Sequence, residues 1–177
     1  MLYGIGCDLC ELAHLEKSLT GAHAAAFVRR VYGEAERAAL GLDAPLPAGR
    51  SAAHRLASAA ANFAAKEAFL KAAGTGLREP FSLCEIEAIR QENGAPAYRF
   101  SGKTAEWVQA RSLTARLSLS HEGGMALAFW CLVWPVTGAR AGPLAALVVG
   151  TAVAYALIGL GMVFLIALGL TVIPGKP

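Results

Sequence analysis

The chain has 177 residues, 55% of them apolar and only 16% charged, and its mean hydropathy is +0.46. That length holds one domain of ordinary size with an appendage, not two full domains, and so apolar a composition excludes a disordered chain. All 13 acids lie at or before Glu122, and only Arg140 and Lys176 carry charge beyond it. Residues 1–122 therefore hold 14 bases against 13 acids, a net +1 that excludes a polycation built for nucleic acid.

Leu2 to Leu9 alternates and is spaced by glycines, as in a first strand. His14 to Ala26 and Ala35 to Leu40 are predicted helices, and Asp43 to Gly49 is a loop marked by Pro and Gly. Ser51 to Ala73 is a long Ala-rich helix ending at Gly74, the usual place for a terminating glycine. Cys84 to Ile89 alternates with period two, Glu92-Asn93-Gly94 supplies a hairpin turn, and Tyr98 to Phe100 returns as a strand. Thr104 to Ala110 is a short helix, and Leu113 to Ser120 and Met125 to Val133 are two further strands joined around His121 to Gly124. The expected fold is α+β, a small antiparallel sheet on one dominant helix. No Asp, Glu, Lys, Arg or His occurs from Ala141 to Gly175, and Leu144 to Ile173 exceeds the ~20 apolar residues a membrane span needs. The expected organisation is thus a domain at 1–134, a linker at 135–143 and a transmembrane helix at 144–173. Trp130 and Trp134 stand near its start as candidate interface anchors, with the last strand of the sheet as the alternative place for Trp130, and Gly150 and Ala154 offer a close-packing face.

Four cysteines are too few and scattered for a disulfide framework, and the lone Cys7-x-x-Cys10 has no second pair to complete a zinc site. The N-terminus shows neither the basic region nor the apolar run of an export signal, so reduced thiols and a cytoplasmic location are expected. Candidate chemistry gathers elsewhere. Asp8 ends the first strand, where a carboxylate faces a cleft. Glu67 and Lys71, with Lys66, are nearly the only charges on the long helix, and Glu67 precedes Lys71 by four residues, on one face. Gly74-Thr75-Gly76 follows at once, a turn that exposes backbone N–H groups to an anion beside a Lys. His121 ends a strand. Separated carboxylates, a Lys-flanked glycine turn and a strand-end His suit a hard cation with a phosphate ligand. Mg²⁺ takes few protein carboxylates and completes its shell with water and phosphate.

Three segments, Ile5-Gly-Cys-Asp-Leu-Cys-Glu-Leu12, Asn62-Phe-Ala-Ala-Lys-Glu-Ala-Phe-Leu-Lys-Ala-Ala-Gly-Thr-Gly76 and Leu117-Ser-Leu-Ser-His121, resemble in order and spacing the signatures of the holo-[acyl-carrier-protein] synthases. The resemblance covers about residues 1–134. It implies transfer of 4′-phosphopantetheine from coenzyme A to a serine of apo-acyl carrier protein, with Mg²⁺, by a homotrimer with active sites between subunits. Asp8 and Glu67 would hold the metal, and Glu67 would serve as base, directly or through a metal-bound water. Lys71, Gly74, Thr75, Gly76 and Lys66 would line coenzyme A, and His121 would contact its nucleotide part. The tail would anchor the enzyme to the inner face of the cell membrane. Two positions depart from the family. His14 stands where a basic residue helps grip the acidic carrier protein, and Asn62 where an Arg normally holds a coenzyme A phosphate. On that reading Asn62→Arg lowers the KM for coenzyme A. The alternative function, a non-catalytic membrane-tethered module that binds carrier protein, is favoured by those two departures and disfavoured by the retained Asp8, Glu67, Lys71 and His121.

Overall fold

The computed structural model describes residues 2–44 and 49–133. The expected linker at 135–143, the expected span at 144–173 and Trp134 lie outside them. Among the described residues no helix is long and apolar enough to cross a membrane. The elements in chain order are β1 (Leu2–Glu11), α1 (Leu12–Thr20), α2 (Ala24–Val31), α3 (Glu34–Leu40), α4 (Arg50–Ala73), a 3₁₀ turn (Leu83–Glu85), β2 (Ile86–Arg90), β3 (Pro96–Phe100), α5 (Gly102–Ala110), β4 (Thr114–Glu122) and β5 (Met125–Val133). The α+β class holds, but the expected single sheet is two: a three-stranded antiparallel sheet in the order β1-β5-β4, and a separate β2-β3 hairpin.

Helix α4 is the centre of the core. Its alanines 59, 60, 64, 65 and 68 are fully buried. Alanine is the strongest helix former, and its small side chain lets other backbones come close. β1 exploits this with two glycines. A Cβ on Gly4 would stand 2.1 Å from the Ala72 carbonyl oxygen, and one on Gly6 would stand 1.8 Å from that of Ala68. Only glycine allows the strand to lie on the helix backbone at this distance. Beside this contact, Phe69 of α4 packs against Trp130 of β5 and Phe100 of β3 with ring centres 4.8 and 5.0 Å apart. Trp130 is therefore a fully buried core residue of β5, not an interface anchor.

Two boundaries differ from expectation. The predicted helix over His14 to Ala26 breaks at Gly21, whose extended backbone ends α1 while its N–H bonds the Lys17 carbonyl and its carbonyl accepts from Ala24. The strand expected from Cys84 begins at Ile86 instead, because Glu85 turns away to the start of α5. Its Oε2 accepts both the N–H and the hydroxyl of Thr104, at 3.0 and 2.8 Å. The hairpin turn forms as expected, with Gly94 at φ +80°.

Candidate active site

The pleat of β1 sends Gly4, Gly6, Asp8 and Cys10 to the face that meets α4. Once the glycines have laid the strand on the helix, Asp8 follows at the same level as the last turns of α4. Lys71 Nζ donates to Asp8 Oδ1 at 2.6 Å and to the Cys7 carbonyl at 3.1 Å. The Asp8 side chain is 17% exposed and that of Lys71 54%. Glu67 belongs to the same group. Burial pushes its carboxyl above the ordinary range, the charge of Asp8 pushes it further, and Lys71 pulls it back. Lys71 in turn is pushed up, first by its hydrogen bond to Asp8. Two carboxylates that repel each other thus share one exposed ammonium as counter-charge. Cys7 points from the opposite face of β1, exposed, while Cys10 is buried. A C-x-x-C laid along a strand cannot bring both sulfurs to one ion.

Three of the expected site residues converge here: Asp8, Glu67 and Lys71. Gly74 follows three residues on as the left-handed cap of α4 (φ +77°), its N–H spent on the Lys71 carbonyl at 3.1 Å. Gly76 also takes a positive φ, of +63°. The Thr75 hydroxyl bonds the Gly76 carbonyl at 3.1 Å. His121 is not brought to this cluster within one chain. It lies at the exposed end of β4, paired with Ala126, and β5 separates that edge from β1. Two strand spacings put it roughly 10 Å across the sheet.

Lys66 corrects an expectation. Its side chain is wholly buried and donates to Glu36 Oε2 at 2.5 Å, to the Leu83 carbonyl at 3.1 Å and to the Ile86 carbonyl. It faces away from the cluster and does not line a coenzyme site. Asn62, one turn earlier on the same helix row, is buried too. Its amide donates to Glu36 Oε1 at 3.1 Å and to the Ala88 carbonyl at 2.8 Å. Asn62 therefore faces a buried carboxylate, not an exposed phosphate position, which removes the basis for a lower KM in Asn62→Arg.

Sequence reasoning missed a groove of about 390 Å³ lined by Leu9, Leu15, Phe27, Phe63 and Met125, with His14 at its rim. His14 Nδ1 stands 3.4 Å from Glu11 Oε2 and is exposed. The signal was present in the spacing. Phe63, Glu67 and Lys71 form one row along α4, with Phe63 lining the groove and the two charged residues outside its lining. Glu36 was missed as well, since nothing local marks a buried Glu on a short charged helix.

Comparison with known proteins gives the family. The sequence profile of the 4′-phosphopantetheinyl transferase superfamily matches residues 4–128. The chain is 37% identical over 130 residues to the holo-[acyl-carrier-protein] synthase of Cupriavidus metallidurans, covering 73% of this chain and 87% of the relative. It is 40% identical over 126 residues to that of Myxococcus xanthus, covering 71% and 90%. Among solved structures, the holo-[acyl-carrier-protein] synthase of Neisseria meningitidis superposes with a TM-score of 0.61 at 30% identity, over 75% of this chain and 99% of that one. The Bacillus anthracis enzyme in complex with CoA (3′,5′-ADP) superposes with a TM-score of 0.57 at 31% identity, over 75% and 96%. With the profile spanning most of its length and relatives matched nearly end to end, the chain belongs to the 4′-phosphopantetheinyl transferase superfamily.

Proposed function

We propose that this chain transfers the 4′-phosphopantetheine arm of coenzyme A to a serine hydroxyl of apo-acyl carrier protein, releasing adenosine 3′,5′-bisphosphate. The observation that carries the reading is the convergence of Asp8, Glu67 and Lys71 where β1 meets the last turns of α4. The donor set suits Mg²⁺. It offers hard oxygen ligands, and its two carboxylates burden each other unless a cation stands beside them. Among the described residues no cluster of three or more His, Cys, Asp or Glu could hold a metal. Two protein carboxylates, with water and substrate phosphate completing the shell, is the arrangement Mg²⁺ prefers. Asp8 and Glu67 would hold the ion, which when bound neutralises charge on the pyrophosphate.

The remaining steps belong to the chain's own side chains. Glu67, with its raised proton affinity, accepts the proton of the attacking serine hydroxyl. As the serine oxygen bonds the β-phosphorus, the bond from that phosphorus to the bridging oxygen breaks, and the bisphosphate leaves with that oxygen. Lys71 and the Gly74–Gly76 turn hold the phosphates and pantetheine, which is positioning and charge compensation, the main requirement of phosphoryl transfer. The groove takes an apolar side of the carrier protein, with His14 at its rim.

The assembly is a homotrimer in which His121 reaches the nucleotide part from a neighbouring subunit. Two observations support this. His121 stands away from the cluster in its own chain. The outer face of β1 carries exposed apolar side chains, with Ile5 48% and Leu9 59% exposed. An anchor at 144–173, with the 1–134 unit facing the cytoplasm, is the remaining part of the proposal and is supported by a sequence free of Asp, Glu, Lys, Arg and His from 141 to 175. Carbonate washing tests it, since the full chain should stay with the membrane. The decisive experiment on activity is the mass of apo-carrier protein after incubation with coenzyme A and Mg²⁺. The parent should add the phosphopantetheine mass. Asp8→Ala and Glu67→Ala should add none while keeping the parental circular dichroism. Near-parental rates in either variant would sink the assignment.

A further inference from the structure

The helix that carries Glu67 buries mostly alanine, with Leu56, Asn62, Lys66, Phe69 and Leu70 between the alanines. The alanines on the glycine-bearing strand set the distance between the two elements, and Phe69 packs its ring on Trp130 and Phe100, but these apolar contacts are non-directional and hold the rotation of the helix about its axis less sharply than directed hydrogen bonds do. The carboxylate cannot tolerate that freedom. A side chain reaches about 5–6 Å from the axis, so a turn of about 20° moves its tip by about 2 Å. Mg²⁺ demands near-ideal octahedral ligation at 2.0–2.1 Å. The ion pair at the site itself cannot supply the constraint, because Lys71 is half exposed and such pairs are weak.

A directed polar constraint stands one residue before Glu67. Lys66 uses all three of its ammonium protons, on Glu36 Oε2, the Leu83 carbonyl and the Ile86 carbonyl. These partners lie on α3, the 3₁₀ turn and β2, so the ammonium is fixed from three directions. Glu36 is itself held by the N–H groups of Gly33 (3.1 Å) and Ala88 (2.9 Å) and by Asn62 (3.1 Å), and its side chain is fully buried. The hydroxyls of Tyr32 and Tyr98 add single bonds to the carbonyls of Ala59 and Ala65 on the same helix. Each is one neutral bond, and neither is adjacent to Glu67.

We propose that Lys66, locked by Glu36, is a positioning residue that sets the rotation of α4 and so presents Glu67 to Asp8. The inference rests on the reading of Asp8 and Glu67 as a metal pair. It assigns to Lys66 a role in the reaction without contact to coenzyme A or metal. Replacing a buried ion pair by neutral side chains of similar volume is often tolerated by the fold, so fold and position can be separated experimentally.

The test uses the full-length protein and Mn²⁺, a cation that carboxylates hold as they hold Mg²⁺. Mn²⁺ affinity is read from the electron paramagnetic resonance of the free ion, alongside circular dichroism and steady-state kinetics. The double variant Lys66→Met with Glu36→Gln should fold yet bind Mn²⁺ at least about tenfold more weakly, with kcat down by about 100-fold and the KM for coenzyme A nearly unchanged. Lys66→Arg, which keeps the charge but changes the reach, should fold and show a smaller loss of the same kind. A folded double variant with parental Mn²⁺ affinity would overturn the proposal. So would failure of both variants to fold, which would assign the pair to stability alone. Glu67→Ala separates the underlying reading: if the parent binds no Mn²⁺, or Glu67→Ala binds it unchanged, the metal pair itself falls and the inference with it.

Discussion

Gly6→Ala adds one carbon and two hydrogens to a molecule of 177 residues, at a place where the fold leaves no room. The new Cβ would stand 1.8 Å from the Ala68 carbonyl oxygen, 2.8 Å from its carbon and 3.0 Å from the Ala72 nitrogen, all backbone atoms inside α4. No rotamer change can relieve a clash with backbone, and Ala68→Gly would not rescue it. Restoring ordinary contact at 3.4 Å requires β1 and α4 to separate by about 1.6 Å. Overpacking of this kind costs about 1–3 kcal/mol, and rigid partners place Gly6→Ala at the upper end. For a domain of this size that lowers Tm by roughly 10 °C. Asp8 lies two residues further along the same face of β1, so it moves with the strand, away from Glu67. Misplacement on this scale costs about 100-fold in turnover. The assay is thermal unfolding by circular dichroism together with kcat for carrier-protein modification at saturating coenzyme A. A Gly6→Ala protein that melts within about 2 °C of the parent and turns over within about twofold of it would refute the argument that strand–helix contact positions the carboxylates.

Lys71→Met should raise the KM for coenzyme A by about tenfold, the worth of one charge-assisted bond, while Tm changes little because the lysine is half exposed; an unchanged KM would remove Lys71 from the site. Glu67→Gln should be inactive yet more stable than the parent at neutral pH. The folded-state carboxyl is raised by burial and by Asp8, so the native chain holds a proton more readily than the unfolded one, and its stability falls as pH rises through that raised value. The advantage of Glu67→Gln should therefore vanish below the ordinary carboxylate range, near pH ~4. Urea melts across pH check this, and an advantage independent of pH would contradict it. Asn62→Asp sets a second carboxylate against buried Glu36 with Lys66 as the shared cation, and urea unfolding should show a loss of about 3 kcal/mol or more; a neutral result would mean that Glu36 is not held as described.

Much of this protein is legible along the chain because the signals are local. The Ala-rich run to Gly74 gives α4 within one residue at its start, since helix propensity and a left-handed glycine cap act over a few positions. The period-two patterns give β5 as observed and β1 nearly so. Asp8, Glu67 and Lys71 stand out because charge is scarce around them. What only the tertiary structure decides is which way each side chain faces and what it meets. Lys66 and Glu67 are adjacent in sequence, yet about 100° of helix rotation sends one into a sealed pair with Glu36 and the other towards Asp8. Glu36 becomes a buried ligand of Lys66 through an interaction across thirty residues, which no local pattern encodes. His121 ends a strand as its sequence suggests, but the order β1-β5-β4 puts it on the opposite edge from Asp8. Gly4 and Gly6 show as spacing in the sequence, and their purpose, the close approach of β1 to the carbonyls of α4, exists only once the helix is packed on the strand. Local propensity depends on neighbours in the chain, while burial and pairing depend on neighbours in space, and the site is built from the second kind.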